Sequence, residues 1–376
     1  MITLQRHVIG ALVRHYQLTP GALGAPFYDL PPDPGYAAQV AQWYESLPLA
    51  NRLAPEALAV LAAPDLVADV RVLQGRDSVT RTWAMAAFRD TPGPFLLTAP
   101  QGENGELKIE VLSSFDIFSD TILTWLVAGG EPSEPELNVR MTQEEMTVFL
   151  ALADLYSRDA YSSYIAHRPV EDRYSQELIA RAYHEAVTVD DPRWLLSFSL
   201  PLLDRGMAQL TDSAITQSLH GLARRGLIEP AGENWKFTLP GQYVVLSFHR
   251  RTVSVAVDTA AADPGGGMGT HAALLLRSDE PLWFIDLPAG GESTLTGVSV
   301  QAARAILDGI LTPLAAAPAQ HVFAPQPAPQ PAAYTPAYGA PAAPPPQPET
   351  ARFCLACGSQ LAPGQAFCMN CGARIG

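Results

Sequence analysis

All four cysteines of this 376-residue chain fall near its C-terminal end: Cys354, Cys357, Cys368 and Cys371, spaced C-x2-C-x10-C-x2-C. Two residues between cysteines let a tight turn aim both sulfurs at one point, and a second such turn completes a tetrahedron of thiolates around Zn2+. Gly358 and Gly372 follow the two pairs directly; lacking a Cβ, each can take the left-handed conformation that closes the turn. The segment repeats itself, with Phe353-Cys-x-x-Cys-Gly-x-x-Leu361 matched by Phe367-Cys-x-x-Cys-Gly-x-x-Ile375. Four protein sulfurs leave no coordination position for water or substrate, so the metal is expected to be structural. A disulfide pair or a redox C-x-x-C is disfavoured, because both pairs follow the knuckle pattern, the rest of the chain has no cysteine and no secretory signal is visible. A rubredoxin-like iron site is the alternative left open, since sulfur ligands alone do not exclude iron.

Residues 351–376 thus resemble the short zinc-ribbon domains at the ends of many bacterial proteins. The resemblance implies one structural Zn2+, and a module this small needs the metal in order to fold. Ahead of it, from Pro313 to Pro348, no Asp, Glu, Lys or Arg occurs, and the text is almost wholly Ala, Pro and Gln. Residues 313–350 are therefore expected to be an extended, disordered tether.

Charge bounds the partners. Residues 1–312 hold 22 of the 24 Lys and Arg but 37 of the 38 Asp and Glu, and the whole chain carries −14. Such a surface repels phosphate backbones, so DNA and anionic membranes are disfavoured. The apolar core of the N-terminal stretch, Val8–Val13, is too short for a signal peptide, and no apolar run reaches about 18 residues. A cytoplasmic protein is expected.

The body reads as α+β, with an N-terminal domain over 1–140, a middle segment over 141–245 and a second α/β half over 246–312. In the middle, Thr142 and Glu145 form a capping-box signal ahead of Met146, Phe149, Leu150 and Ala153 on one helical face. Later, Ile215, Leu219 and Leu222 recur at helical spacing, Gly226 stops the helix, and Leu227–Glu229 and Trp235–Leu239 read as two strands about a turn. This order resembles a winged helix. The resemblance implies that Thr216, Gln217, Ser218, His220, Arg224 and Arg225 would read DNA or touch phosphate. Around them Arg205, Arg224, Arg225 and Lys236 are balanced by Asp204, Asp212, Glu229 and Glu233, which favours a winged helix used for protein contact.

Two flanking stretches match each other. Trp83–Gly102 aligns with His271–Gly290 at an offset of 188, with Ala84/Ala272, Arg89/Arg277, Pro100/Pro288 and Gly102/Gly290 identical. The alignment predicts that the second half repeats 66–127, two related halves flanking the winged-helix-like segment. That layout has a faint similarity to the secretion-specific chaperones of type VII systems, which implies a body that binds a helical protein pair.

No catalytic frame emerges. The glycine-rich stretch Asp263–His271 lacks a lysine and precedes a strand, so it reads as a hairpin loop rather than a phosphate cradle. Ser254, Asp258 and His271 lack a nucleophile elbow, and Trp43, Trp83, Trp125, Trp194, Trp235 and Trp283 read as core. The expectation is a non-enzymatic, zinc-binding adaptor with a protein partner. The alternative is a homodimeric DNA-binding regulator whose basic patch gathers Arg224, Arg225, Arg250 and Arg251.

Overall fold

Apolar alternation in Leu66–Gln74 and a run buried on both faces in Val253–Ala262 place these two strands at the centre of the chain's main sheet. The computed structural model describes residues 1–75, 78–87, 94–101, 105–112, 116–127, 130–189, 191–203, 205–262, 268–315, 352–353 and 360–361. They divide into two units, Met1–Val322 and Phe323–Gly376.

The first unit is built on a ten-stranded antiparallel sheet. In spatial order its strands are β1 (Ile2–Gln5), β5 (Glu106–Leu112), β4 (Phe95–Gln101), β3 (Ser78–Ala86), β2 (Leu66–Gln74), β10 (Val253–Ala262), β11 (Met268–Arg277), β12 (Leu282–Pro288), β13 (Ser293–Gly297) and β6 (Asn138–Met141). Because side chains alternate between faces, each strand feeds two cores. One face, bearing Val70, Ala84, Phe95, Val257, Leu275 and Phe284, is closed by α4 (Asp116–Val127) and α10 (Val300–Ala315), which also pack on each other.

The other face carries two separate helical groups. Over the first half, Met85, Leu96 and Ile109 pack beneath α1 (Arg6–His15), α2 (Pro34–Ser46) and α3 (Pro55–Ala62). Over the second half, Leu274, Trp283, Ile285 and Leu295 pack beneath a group that includes α5 (Gln143–Ile165), α6 (Gln176–Thr188), α7 (Leu195–Ser199), α8 (Asp212–Arg224) and α9 (Leu239–His249). The fold is α+β, with the sheet between helical layers.

The chain runs through this plan twice: edge strand, helices, four-stranded meander, helix. The registers fix the correspondence at an offset of 189. The pair Leu66–Ala86 maps onto Val255–Leu275, and Met85–Leu96 onto Leu274–Ile285. At 189 the core residues of the first three meander strands keep their face; Ala84 meets Ala273 and Phe95 meets Phe284, all four against α4 and α10. The offset of 188 suggested by sequence identity is one residue out, and a one-residue slip sends each side chain to the opposite face. Trp43 is also corrected: it is 51% exposed on α2 and does not belong to the core.

Helix ends show where local rules bend. Past α1, Gln17 has φ +54° while Leu18 N donates to Val13 O at 3.0 Å; past α5, His167 has φ +50° while Arg168 N donates to Ser163 O at 3.0 Å. Both are Schellman closures, in which the left-handed residue is usually glycine. Left-handed backbone costs a side-chain-bearing residue roughly 1–2 kcal/mol, so Gln17→Gly and His167→Gly should each raise stability by about 1 kcal/mol in urea titrations.

In the second unit, β14 (Arg352–Phe353) and β15 (Gln360–Leu361) form a two-stranded antiparallel ladder pairing Phe353 with Gln360.

Candidate functional site

Four places bear on function: the α8 surface, the α2 surface, the middle of the sheet and the cysteine-rich segment.

The elements around α8 assemble in the order α5, β7 (Arg173–Ser175), α6, α7, α8, β8 (Ile228–Ala231), β9 (Asn234–Phe237), with the three strands ordered β7-β9-β8. Thr142 and Glu145 close a reciprocal capping box at the start of α5, through bonds of 3.2 and 3.0 Å. Thr211 caps α8 through the amide of Ala214. Gly221 lies against the Glu145 side chain, where an added Cβ would stand 1.8 Å from Oε1 and would push that carboxylate from its place.

The six residues expected to read DNA do not share one free face. Ser218 is buried and donates to Ala214 O at 2.8 Å. Thr216 accepts from Gln176 Nε2 at 2.7 Å and donates to Asp212 O. Arg225 lies 3.4 Å from Glu145 and 3.7 Å from Glu292, tying α8 to the turn before β13. Gln217, His220 and Arg224 are exposed, His220 resting edge-on against Trp235. Arg251 turns inward, donating to Phe248 O at 2.9 Å and to Arg193 O. Of the four arginines of the supposed basic patch, Arg225 and Arg251 are thus engaged within the fold.

Asp154, on α5, anchors this helical group. It is 2% exposed and accepts from the Leu195 and Leu196 amides at 2.7 and 2.8 Å, capping α7. Burial pushes its carboxyl upward, opposed by Arg251, those two amides and Arg158.

On the α1–α3 side, α2 exposes an uncharged aromatic face. Its only charged residue is Glu45, which accepts from Tyr16 Oη at 2.9 Å. Tyr36 and Trp43, 37% and 51% exposed, lie seven residues apart on one side of the helix with half-buried Val40 between them.

At the centre of the sheet, Asp69 of β2 pairs directly with Asp258 of β10. These two residues are themselves 189 apart, so the approximate twofold axis of the sheet passes between them. Arg81 holds Asp69 with Nε at 3.0 Å and Nη2 at 2.6 Å, and its guanidinium lies over the Trp83 ring at 4.7 Å. Burial and the neighbouring Asp69 push the Asp258 carboxyl upward, against Arg71 and Arg81.

Like charges directly opposed across strands destabilise by up to about 1 kcal/mol. Asp258→Asn should therefore raise the melting temperature at pH 7. A carboxyl whose folded pKa is raised binds its proton more readily when folded, so the native state gains stability as pH falls through that value. The advantage of Asp258→Asn should shrink over that fall, as melting curves taken from pH 7 downward would show.

Ser254, Asp258 and His271 do not come together. Ser254 and Asp258 face the helical groups, whereas His271 is on the α4/α10 face, with Nε2 3.0 Å from Asp286 Oδ1. The stretch Asp263–Gly267 lies outside the described residues.

So do Cys354, Cys357, Cys368 and Cys371. Among the described residues no group of His, Cys, Asp and Glu is arranged to hold a metal. The β14/β15 ladder nonetheless suits a thiolate site, because its paired ends, Phe353 and Gln360, flank the Cys354–Cys357 knuckle. No helix among the described residues is long and apolar enough to cross a membrane.

A family model described as a zinc-ribbon domain matches residues 353–375. No curated protein matches the chain. Among solved structures, the chain is similar to the Mycobacterium tuberculosis type VII secretion system chaperone EspG5, solved in complex with a PE25-PPE41 dimer. The identity is 11% and the TM-score 0.43, over 82% of this chain and 95% of that one. Similarity at that level carries over no activity.

Proposed function

We propose that the protein is a cytoplasmic, non-enzymatic adaptor that works through protein contacts, carrying a structural zinc ribbon as a second contact module. The observation that carries this reading is the α2 face. Interface centres are depleted in charge and enriched in Tyr and Trp, and a surface helix with one charge and two exposed aromatics has that composition. Phosphate recognition is poorly served, because Arg225 and Arg251 are spent on internal partners and the chain carries −14.

In the ribbon, the thiolates of Cys354, Cys357, Cys368 and Cys371 would hold one Zn2+, which supplies folding free energy and no chemistry. Arg352 and Arg374 offset the two net negative charges of such a centre, leaving a module close to neutral and suited to protein contact.

Anisotropy of labelled mixed-sequence duplex DNA, titrated with zinc-loaded full-length protein across salt concentrations, tests the reading. No binding at low salt is the expected result. Binding that weakens steeply with salt would instead make a winged-helix regulator the function, since phosphate contacts release counterions.

A further inference from the structure

The exposed apolar residues on and beside α2 are spaced alike in both directions along the chain. Between Gln17 and Gly75 the exposed large apolar side chains are Leu30, Tyr36, Trp43 and Leu49, at 49%, 37%, 51% and 77%. The intervals between them are six, seven and six residues. Tyr36 and Trp43 stand on the helix itself, Leu30 lies before it and Leu49 after it. A twofold axis crossing α2 between Gln39 and Val40 therefore sets Tyr36 of one copy against Trp43 of a second, and brings Leu30 of each toward Leu49 of the other. An interface between identical chains requires such self-matching, because the same patch must serve both sides.

Charge selects the same occupant. A chain carrying −14 repels its copies, and a face without free charge is where two of them can meet at least cost. Glu45, the one charged residue of the helix, accepts from Tyr16 Oη, so a basic partner would find no free carboxylate on this stripe to hold it. Packed antiparallel, two such helices run side by side for about 20 Å. The patch amounts to on the order of 1,000 Å² over both copies, the lower bound for a specific interface. The dimer is therefore expected to form and dissociate across micromolar concentrations.

We propose that the α2 face docks a second copy of this chain, through an antiparallel α2–α2 contact in which Tyr36 and Trp43 pair across the axis. Aromatic pairs of this kind add to what their buried area supplies. The inference rests on the protein-contact reading and names the partner of the surface that carries it.

The test is sedimentation equilibrium of the zinc-loaded, full-length protein across the micromolar range. The mass is expected to rise from one chain to two, and to do so more readily at about 0.15 M salt than at low salt, because screening relieves the repulsion between copies. Tyr36→Glu and Trp43→Lys are each expected to weaken the dimer tenfold or more. Leu49→Lys, at a side chain already mostly in water, is expected to weaken it at least threefold with the melting temperature unchanged, and so tests the face even if an aromatic variant fails to fold. An equimolar mixture of Tyr36→Glu and Trp43→Lys is expected to dimerise more tightly than either alone: the antiparallel register sets the new glutamate against the new lysine at one end and leaves a Tyr36–Trp43 pair at the other. Tyr164→Lys, on α5 at a side chain 82% exposed, is expected to change the dimer less than twofold. A single chain at every concentration would overturn the proposal, as would a dimer that the α2 variants leave intact or that Tyr164→Lys weakens equally. A mixture no tighter than its components, or a dimer loosened by added salt, would overturn the uncharged antiparallel contact. None of these results would touch the protein-contact reading, which stands or falls on the DNA titration.

Discussion

Exchanging Cys354 and Cys368 for serine should abolish tight zinc binding and leave the thermal transition of the main body unchanged. Each substitution breaks one of the two C-x2-C knuckles, and a tetrahedral thiolate site does not tolerate the loss of a ligand from each. The effect on the ribbon is large: for structural Zn2+ in small modules, binding supplies about 10–16 kcal/mol, and that binding free energy is folding free energy. Metal analysis of dialysed protein should give one zinc per chain for the unmodified protein and none for the double variant. Calorimetry of the two proteins should superimpose over the main transition. A main transition that moves with the cysteines would show that the ribbon stabilises the body. Iron in place of zinc would select the rubredoxin-like alternative.

Asp154→Ala should be the most damaging single substitution in the helical group over the second half. It orphans the amides of Leu195 and Leu196, now held at 2.7 and 2.8 Å, and each unsatisfied buried donor costs about 1–3 kcal/mol. It also removes the countercharge that faces Arg251 and Arg158. A loss of about 3 kcal/mol or more is expected, read as a lower urea midpoint at unchanged slope. Asp154→Asn keeps one acceptor and should cost less. If the alanine variant lost under 1 kcal/mol, α7 would have to find other partners for its first turn.

The local chemistry of this protein was legible. The capping box at Thr142, the stop at Gly226, the strands on either side of the turn before Asn234 and the zinc-ligand spacing all rest on interactions between residues a few positions apart. Such signals survive without tertiary information.

What failed was everything that depends on which residues meet across the fold. Identity counting favoured an offset of 188, because Arg89/Arg277 and Pro100/Pro288 are matches of letters; backbone pairing and the face each side chain occupies require 189. Trp43 was read as core because indole rings are usually buried, yet nothing in the neighbouring text says that α2 has no cover on that side. Ser218, Thr216 and Arg225 were read as groove contacts because helical spacing gives a face but not its neighbours. Their actual partners, Ala214, Gln176, Glu145 and Glu292, include residues about 40 to 80 positions away.

By itself the sequence determined the metal-ligand spacing, the α+β composition, the acid balance and the stops and caps of the elements, because covalent neighbours and spacing suffice for those. Only the tertiary structure decided that Asp69 and Asp258 oppose each other on the axis of a duplicated sheet, and that Arg71 and Arg81 have only Ala260 and Thr270 as counterparts. The reason is physical: a carboxylate's energy depends on the charges within a few ångströms of it, and in this fold those charges come from the β2–β3 hairpin and from β10, far away in the chain, which only the assembled sheet brings together.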